Sequence, residues 1–229
     1  MPHKSLYIIS LGGSLIVPDA IDAKFLRSFR HLVMQRVKRG DRFVFIVGGG
    51  KTCRKYQAAL KAAAPVSPAD LDWMGIQATY LNAHLVRLAF GKLAHPRVID
   101  DPNKKVLFKE KILVAGGWKP GRSTDDDAVR LAKIYGAETI INLSNIDYVY
   151  TKDPRKFKDA RPIKKISWKD FRKIVGSKWN PGLNAPFDPV AARFAQAHGQ
   201  KVIIARGNNL KNLEKILAGQ EFAGTTLWK

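Results

Sequence analysis

The sequence predicts an α/β fold, a three-layer α/β/α sandwich around a largely parallel central sheet, on three observations. Short apolar runs alternate with amphipathic helical stretches along nearly the whole chain, the pattern of a sheet covered on both faces. Three of those runs end in glycine: Leu6–Leu11 into Gly12-Gly13-Ser14, Phe43–Val47 into Gly48-Gly49-Gly50-Lys51, and Ile112–Ala115 into Gly116-Gly117. The third junction continues through Trp118-Lys119-Pro120-Gly121-Arg122 to Ser123-Thr124-Asp125-Asp126-Asp127, where Ser123 or Thr124 can cap a helix whose first turn holds three aspartates. Glycine at a strand exit lets main-chain N–H groups approach a phosphate, and a helix start beyond it adds a favourable dipole. One such loop is weak evidence, and an acidic helix start alone is only a well-capped helix. Three at the C-terminal ends of apolar runs point to several phosphate groups held along one sheet edge.

In order, strand 6–11 leads to a helix from Asp22 to Lys38, and strand 43–47 to a helix from Thr52 to Ala63, ended by Pro65 and Pro68. A helix from Ala69 to about Gly91 carries Leu71, Met74, Ala78, Leu81, Leu85 and Leu88 as a face for the core or for another subunit. Val98-Ile99 and Val106-Leu107-Phe108 read as short strands of a hairpin around Pro102-Asn103. Strand 112–115, helix 125–135 with a buried face of Ala128, Leu131, Ala132 and Tyr135, and strand 139–143 complete a first lobe. The loop from Ser144 to Pro154 opens a second, followed by helices Trp168–Val175 and Asp188–His198, strand 201–205 and helix 210–217. The expectation is a single domain over 1–229, with lobes 1–143 and 144–229.

Composition narrows the function classes. At 229 residues and 45% hydrophobic content the chain can bury a sizeable core. No apolar run is long enough to span a bilayer, so no membrane role is expected. The lone Cys53 excludes an internal disulfide and fits a reducing cytoplasm; with no histidine near it in sequence, it reads as a small buried side chain rather than a nucleophile. Forty Lys and Arg against nineteen Asp and Glu give +21, which fits nucleic acid or anionic substrates. The cations are spread through Lys38-Arg39, Lys104-Lys105, Lys152 to Lys158, Lys164-Lys165 and Lys169 to Lys173, with no basic tail and no aromatic RNA-binding signature. Most therefore read as a solvated surface, and nucleic acid is not the expected partner. A dinucleotide-binding dehydrogenase is excluded because neither early glycine cluster has the spaced fingerprint, and Phe45 fills the first glycine position of a P-loop ending at Gly50-Lys51-Thr52.

Leu11-Gly12-Gly13-Ser14, Val47-Gly48-Gly49-Gly50-Lys51 and Pro120-Gly121-Arg122-Ser123-Thr124-Asp125 resemble the amino-acid kinase superfamily. Within it the chain is most similar to the archaeal-type uridylate kinases. The marks are Arg54-Lys55-Tyr56, Asp72 with Gly75-Ile76-Gln77 and Asn82, Ser144-Asn145-Ile146-Asp147 with Val149-Tyr150-Thr151 and Asp153-Pro154, Asp188-Pro189 with Ala191-Ala192, and Gly224-Thr225-Thr226. Their collinearity over nearly the whole chain is more specific than any single loop.

The resemblance implies transfer of the γ-phosphoryl of ATP to UMP, with Mg²⁺ held mainly by phosphate oxygens, in a cytoplasmic homohexamer built as a trimer of dimers. It implies that Gly12, Gly13, Ser14 and Gly50 hold ATP phosphates and that Ser144, Asn145, Tyr150 and Asp153 hold its adenosine. Gly49, Asp72 and the run Trp118, Lys119, Pro120, Gly121, Arg122, Ser123, Thr124 would take UMP. Arg54 would act at the phosphates being joined, and Asp125 would orient the catalytic groups; no protein metal ligand is assigned. The sequence departs from the pattern at Ser10, where many members carry lysine, at Tyr148 for a glycine, and at Tyr80 for an arginine; the later lysine of related enzymes is not recognisable around Pro181-Gly182-Leu183-Asn184. An isopentenyl phosphate kinase would carry histidine beside the glycine loop, whereas Lys51-Thr52-Cys53 offers none. A non-catalytic nucleotide- or oxyanion-binding protein on the same fold stays open.

Overall fold

The computed structural model describes residues 5–176 and 185–229; Pro181 to Asn184 lie outside the described residues. Alternation within the strands sorts their side chains into two cores. Strands β1 (Leu6–Leu11), β2 (Arg42–Val47), β3 (Ile112–Ala115) and β4 (Thr139–Ser144) send Ile9, Leu11, Phe43, Phe45, Val47, Val114 and Leu143 to one face. Ile8, Val44, Ile46, Leu113 and Ile140 go to the other. Helices α1 (Gly13–Ile16), α2 (Ala23–Lys38) and α4 (Pro68–Phe90) cover the first face; α3 (Gly50–Ala63) packs on α4 outside it. The second is covered by α5 (Thr124–Tyr135), α6 (Trp168–Val175) and α7 (Pro189–Ala197). This is the three-layer sandwich the sequence predicts.

The chain continues through β5 (Val149–Tyr150), β6 (Pro162–Ile163), β7 (Lys165–Ser167), β8 (Lys201–Arg206), α8 (Leu210–Leu217) on the first face, and β9 (Thr225–Trp228). The main sheet has the order β3-β2-β1-β4-β8-β9-β7 and is parallel from β3 to β8; β9 is antiparallel to β8. β5 and β6 form a small antiparallel ribbon. The two expected lobes therefore share one sheet, since β4 and β8 run side by side across the 143/144 division. All three glycine junctions leave the same end of that sheet, because the strands that feed them are parallel.

Several local expectations are corrected. Pro68 does not end a helix; it is the first residue of α4, behind a reciprocal cap between Ser67 and Asp70, because proline lacks the N–H that a first turn leaves unpaired. Val106 to Phe108 form no strand and no hairpin, and Leu107 is 86% exposed. Side chains tack that segment down instead: Tyr135 bonds both main-chain groups of Val106, and the Arg42 guanidinium lies 4.1 Å from the Phe108 ring centre. Of the expected Val98-Ile99 strand, Ile99 makes a single isolated bridge to Ala115 of β3, as Ala94 does to Ile112. Of the apolar face expected on α4 for the core or another subunit, Ala78 is buried while Leu81 and Leu88 are exposed, and the buried side of the helix is Gly75, Ile76, Thr79, Asn82, Ala83, Val86 and Phe90. Small and polar residues occupy this face because glycine turns pack directly against it. Strands β5, β6, β7 and β9 are too short to show a period.

Candidate active site

The first two glycine turns are packed backbone to backbone. The Gly12 N–H donates to the Leu143 carbonyl and the Gly48 N–H to the Leu11 carbonyl, each at 3.0 Å. A Cβ placed on Gly13 would lie 2.1 Å from the Gly50 nitrogen and 2.4 Å from the Gly48 oxygen, so any side chain would separate the turns. Asn82 of α4 latches the second turn, its amide donating to the carbonyls of Gly48 (2.9 Å) and Gly49 (3.0 Å). Cys53 fills the space between Gly49 and Gly75, and burial raises its thiol pKa, which fits a packing role.

Beside these turns a cleft of about 190 Å³ opens at the C-terminal ends of β1 and β4. Gly12 and Ser14 line it from the first turn, Thr124 and Asp125 from the start of α5, and Ser144 and Asn145 from the end of β4. The Arg54 guanidinium reaches to 3.5 Å from the Ser14 hydroxyl while remaining exposed. Gly13, Gly49 and Gly50 stand behind this wall rather than among its lining residues.

Asp125 lies on the cleft floor. One carboxylate oxygen accepts from the Asn142 amide (2.7 Å) and the Ser10 hydroxyl (3.3 Å), and the other from the Asp188 main-chain N–H (3.2 Å). Burial, then the nearby Asp188 charge, push its pKa up to about 7 against these three bonds. The group thus titrates near neutrality. Ser123, not Thr124, is the N-cap of α5, accepting from the Asp126 N–H.

The expected acceptor residues form one connected loop. Asp72 accepts from the Gly121 N–H at 2.8 Å, where φ of +76° suits glycine, and thereby ties the start of α4 to the loop. Thr79 accepts from the Gly117 N–H (2.7 Å), and Asp127 from the Trp118 N–H (3.2 Å). Lys119 sits 4.0 Å over the Trp118 ring, and Pro120 is half-buried beside it. Arg122 and Arg130 share the buried Asp126 carboxylate, at 3.4 and 2.8 Å. Burial holds Asp127 well above the usual carboxylate range, with Asp126 adding to the effect. Tyr80 packs on Gly116, and desolvation with the charges of Asp100 and Asp127 pushes its hydroxyl pKa up to about 12, so it presents a neutral phenol.

On the nucleotide side, Tyr150 lies on β5 with its ring edge-on to Tyr148, and neither Tyr150 nor Asp153 lines the cleft. Arg155 bonds both Asp153 oxygens and holds that carboxyl below its ordinary pKa. Arg206 makes a two-pronged pair with Asp147 at 2.7 and 2.8 Å, bracing the loop between Asn145 and Tyr150. Sequence reasoning left Asn142, Asn82, Thr79 and Asp188 out of the site. Asn82 and Asp188 were visible as motif residues, and Asn142 as a lone amide inside the apolar run Ile140-Ile141-Asn142-Leu143. Among the described residues no group of three or more His, Cys, Asp or Glu side chains gathers to hold a metal.

Comparison with known proteins gives a consistent picture. The family model described as Amino acid kinase family matches residues 5–206. A protein named uridylate kinase from Pyrococcus abyssi is 34% identical over 224 residues, covering 96% of this chain and 98% of the relative. One of the same name from Thermoplasma volcanium is 34% identical over 223 residues, 96% of each. The crystal structure of uridylate kinase from Archaeoglobus fulgidus superposes with a TM-score of 0.80 at 28% identity, covering 97% of this chain and 99% of that one.

Proposed function

The chain belongs to the amino acid kinase family, and from that premise we propose that it transfers the γ-phosphoryl of ATP to UMP, giving ADP and UDP in pyrimidine nucleotide biosynthesis. The observation that carries this reading is the end-to-end likeness to proteins named uridylate kinase, 34% identical over 96% of the chain.

The chemistry suits the residues present. The acceptor is a phosphate monoester whose second pKa is about 6, so it is largely ionised at neutral pH and needs no strong general base. Catalysis then rests on positioning and on neutralising charge spread over the transferred group. In this reading Gly12, Gly13, Ser14 and Gly50 hold the ATP phosphates, and Ser144, Asn145, Tyr150 and Asp153 its adenosine. Gly49, Asp72 and the loop from Trp118 to Thr124 hold UMP, so the acceptor sits toward residues 1–143 and ATP toward 144–229. Arg54, beside Ser14, is the leading cation at the transferred group, since Ser10 brings none. Magnesium would enter with ATP on phosphate oxygens and water, in keeping with its reluctance to shed its hydration shell, and would supply further charge neutralisation. The proposed setting is the cytoplasm; no helix among the described residues is long and apolar enough to cross a membrane.

A coupled ADP-release assay with UMP, CMP, dUMP and isopentenyl phosphate tests the reading. Turnover with UMP at the highest kcat/KM is the expected result. Failure of every nucleotide with turnover of isopentenyl phosphate would overturn the acceptor, and failure of all four would favour a binding protein.

A further inference from the structure

We infer that Asn142 is a positioning residue of the phosphoryl-transfer site: with Ser10 as a weaker partner, it holds the Asp125 carboxylate in one orientation on the cleft floor through neutral hydrogen bonds. The inference rests on the kinase reading for its catalytic meaning.

Ser10 and Asn142 stand directly opposite each other on the neighbouring parallel strands β1 and β4. Both interrupt apolar runs, next to Ile9, Leu11, Ile141 and Leu143, and both are nearly buried, at 4% and 6% exposure. A buried amide in such a strand is costly unless its hydrogen bonds are made. Asn142 makes its bond to Asp125 at 2.7 Å, and Ser10 reaches the same oxygen at 3.3 Å. All three side chains border the cleft rather than being sealed beneath it. Among the described residues the Asp188 N–H alone holds the second oxygen, so β1, β4, α5 and the start of α7 meet at one carboxylate.

Among the described residues no basic side chain pairs with Asp125. Neutral donors therefore keep the carboxylate oriented. The charged neighbour it faces, Asp188 from α7, opposes its ionisation, whereas the bonds from Ser10 and Asn142 favour it. Losing the Asn142 bond should therefore both free the carboxylate and move its titration to higher pH.

The test compares the full-length chain with Asn142→Ala and Asn142→Asp, measuring kcat and both KM values across pH and following the Asp125 carboxyl carbon by NMR. Expected is a fall in kcat of roughly tenfold or more in Asn142→Ala, with KM for ATP and UMP nearly unchanged and the carboxyl midpoint raised. Asn142→Asp keeps the shape but puts a second carboxyl against Asp125; it should lose at least as much at pH 7 and lose more as pH rises and both carboxyls ionise. Unchanged kcat and midpoint in both variants would overturn the inference. If neither variant folds, Ser10→Ala decides, with a smaller shift in the same direction expected and no shift counting against the idea. An inactive parent chain would defeat the kinase reading, yet the carboxyl titration would still judge the hold of Asn142 on Asp125.

Discussion

At the scale of single residues, the proposed function divides the work between charge, from Arg54, and order, from Asp125. Arg54 reaches Ser14 from the first turn of α3, so its guanidinium stands beside the wall that would carry phosphates. Arg54→Ala should lower kcat by roughly a hundredfold or more with the fold intact, since a group that neutralises transition-state charge contributes about 3 kcal/mol. Nearly normal turnover would move the role to Lys51 or Arg122. Asp125 makes a separate prediction about stability. Its folded pKa, about 7, lies above the ordinary 3.8, so the folded chain holds a proton that the unfolded chain has released. Stability then falls as pH rises from about 4 to 7, and the penalty is complete above that. Asp125→Asn should therefore melt higher than the parent at pH 8, by roughly 5 °C, and lose most of that margin at pH 4. Equal margins at both values would show that the carboxyl ionises normally.

At the scale of elements, α4 would be the scaffold of the proposed acceptor side. Its buried face carries Gly75, Thr79 and Asn82, which touch the Gly49 turn, the Gly117 N–H and the Gly48–Gly49 carbonyls in turn. Asp72, one turn from its start, holds the Gly121 N–H. A residue expected to read ribose hydroxyls thus also fixes the loop that would close on the same substrate. Asp72→Ala should raise KM for UMP roughly ten- to hundredfold and KM for ATP far less, because a charged hydrogen bond contributes about 1.5 to 3 kcal/mol. Asp72→Asn keeps an acceptor for Gly121 and should fall between the two. Equal rises for both substrates in isothermal or steady-state measurements would assign Asp72 to the fold alone.

At the scale of the whole molecule, the outward faces of α3 and α4 are left uncovered by the described residues. No residue of α3 is fully buried, and Trp73, Leu81 and Leu88 are exposed on α4, the two leucines close to two turns apart. We propose that this layer joins two subunits and that such dimers build a hexamer. The charge of +21 per chain opposes association most at low ionic strength, where screening is weakest. Light scattering should report an oligomer at moderate salt, and Leu81→Glu with Leu88→Glu should give a folded monomer. Monomer alone in the parent at every salt concentration would count against the assembly.

Strands β1 to β4 and β8, helices α2 to α8, the parallel sheet and the three glycine junctions were legible in the sequence because each is a local pattern, whereas the short strands β5, β6, β7 and β9 were not. Apolar alternation, helical spacing and capping residues act over a few neighbours, and Ser123, Pro68 or Gly121 carries its conformational bias wherever the fold places it. The collinear motifs likewise pointed to the kinase family. What only tertiary structure decided is which of those residues meet. The apolar count along α4 left Leu81 and Leu88 open between the core and another subunit; the glycine turns needed small and polar neighbours, so Thr79 and Asn82 face inward and the leucines face out. Asn142 and Ser10 are 132 positions apart in the chain but opposite each other in the sheet, and only strand pairing brings both to Asp125. The pKa of that carboxyl follows from the same meeting, since desolvation and the field of Asp188 depend on distances in space that a sequence does not contain.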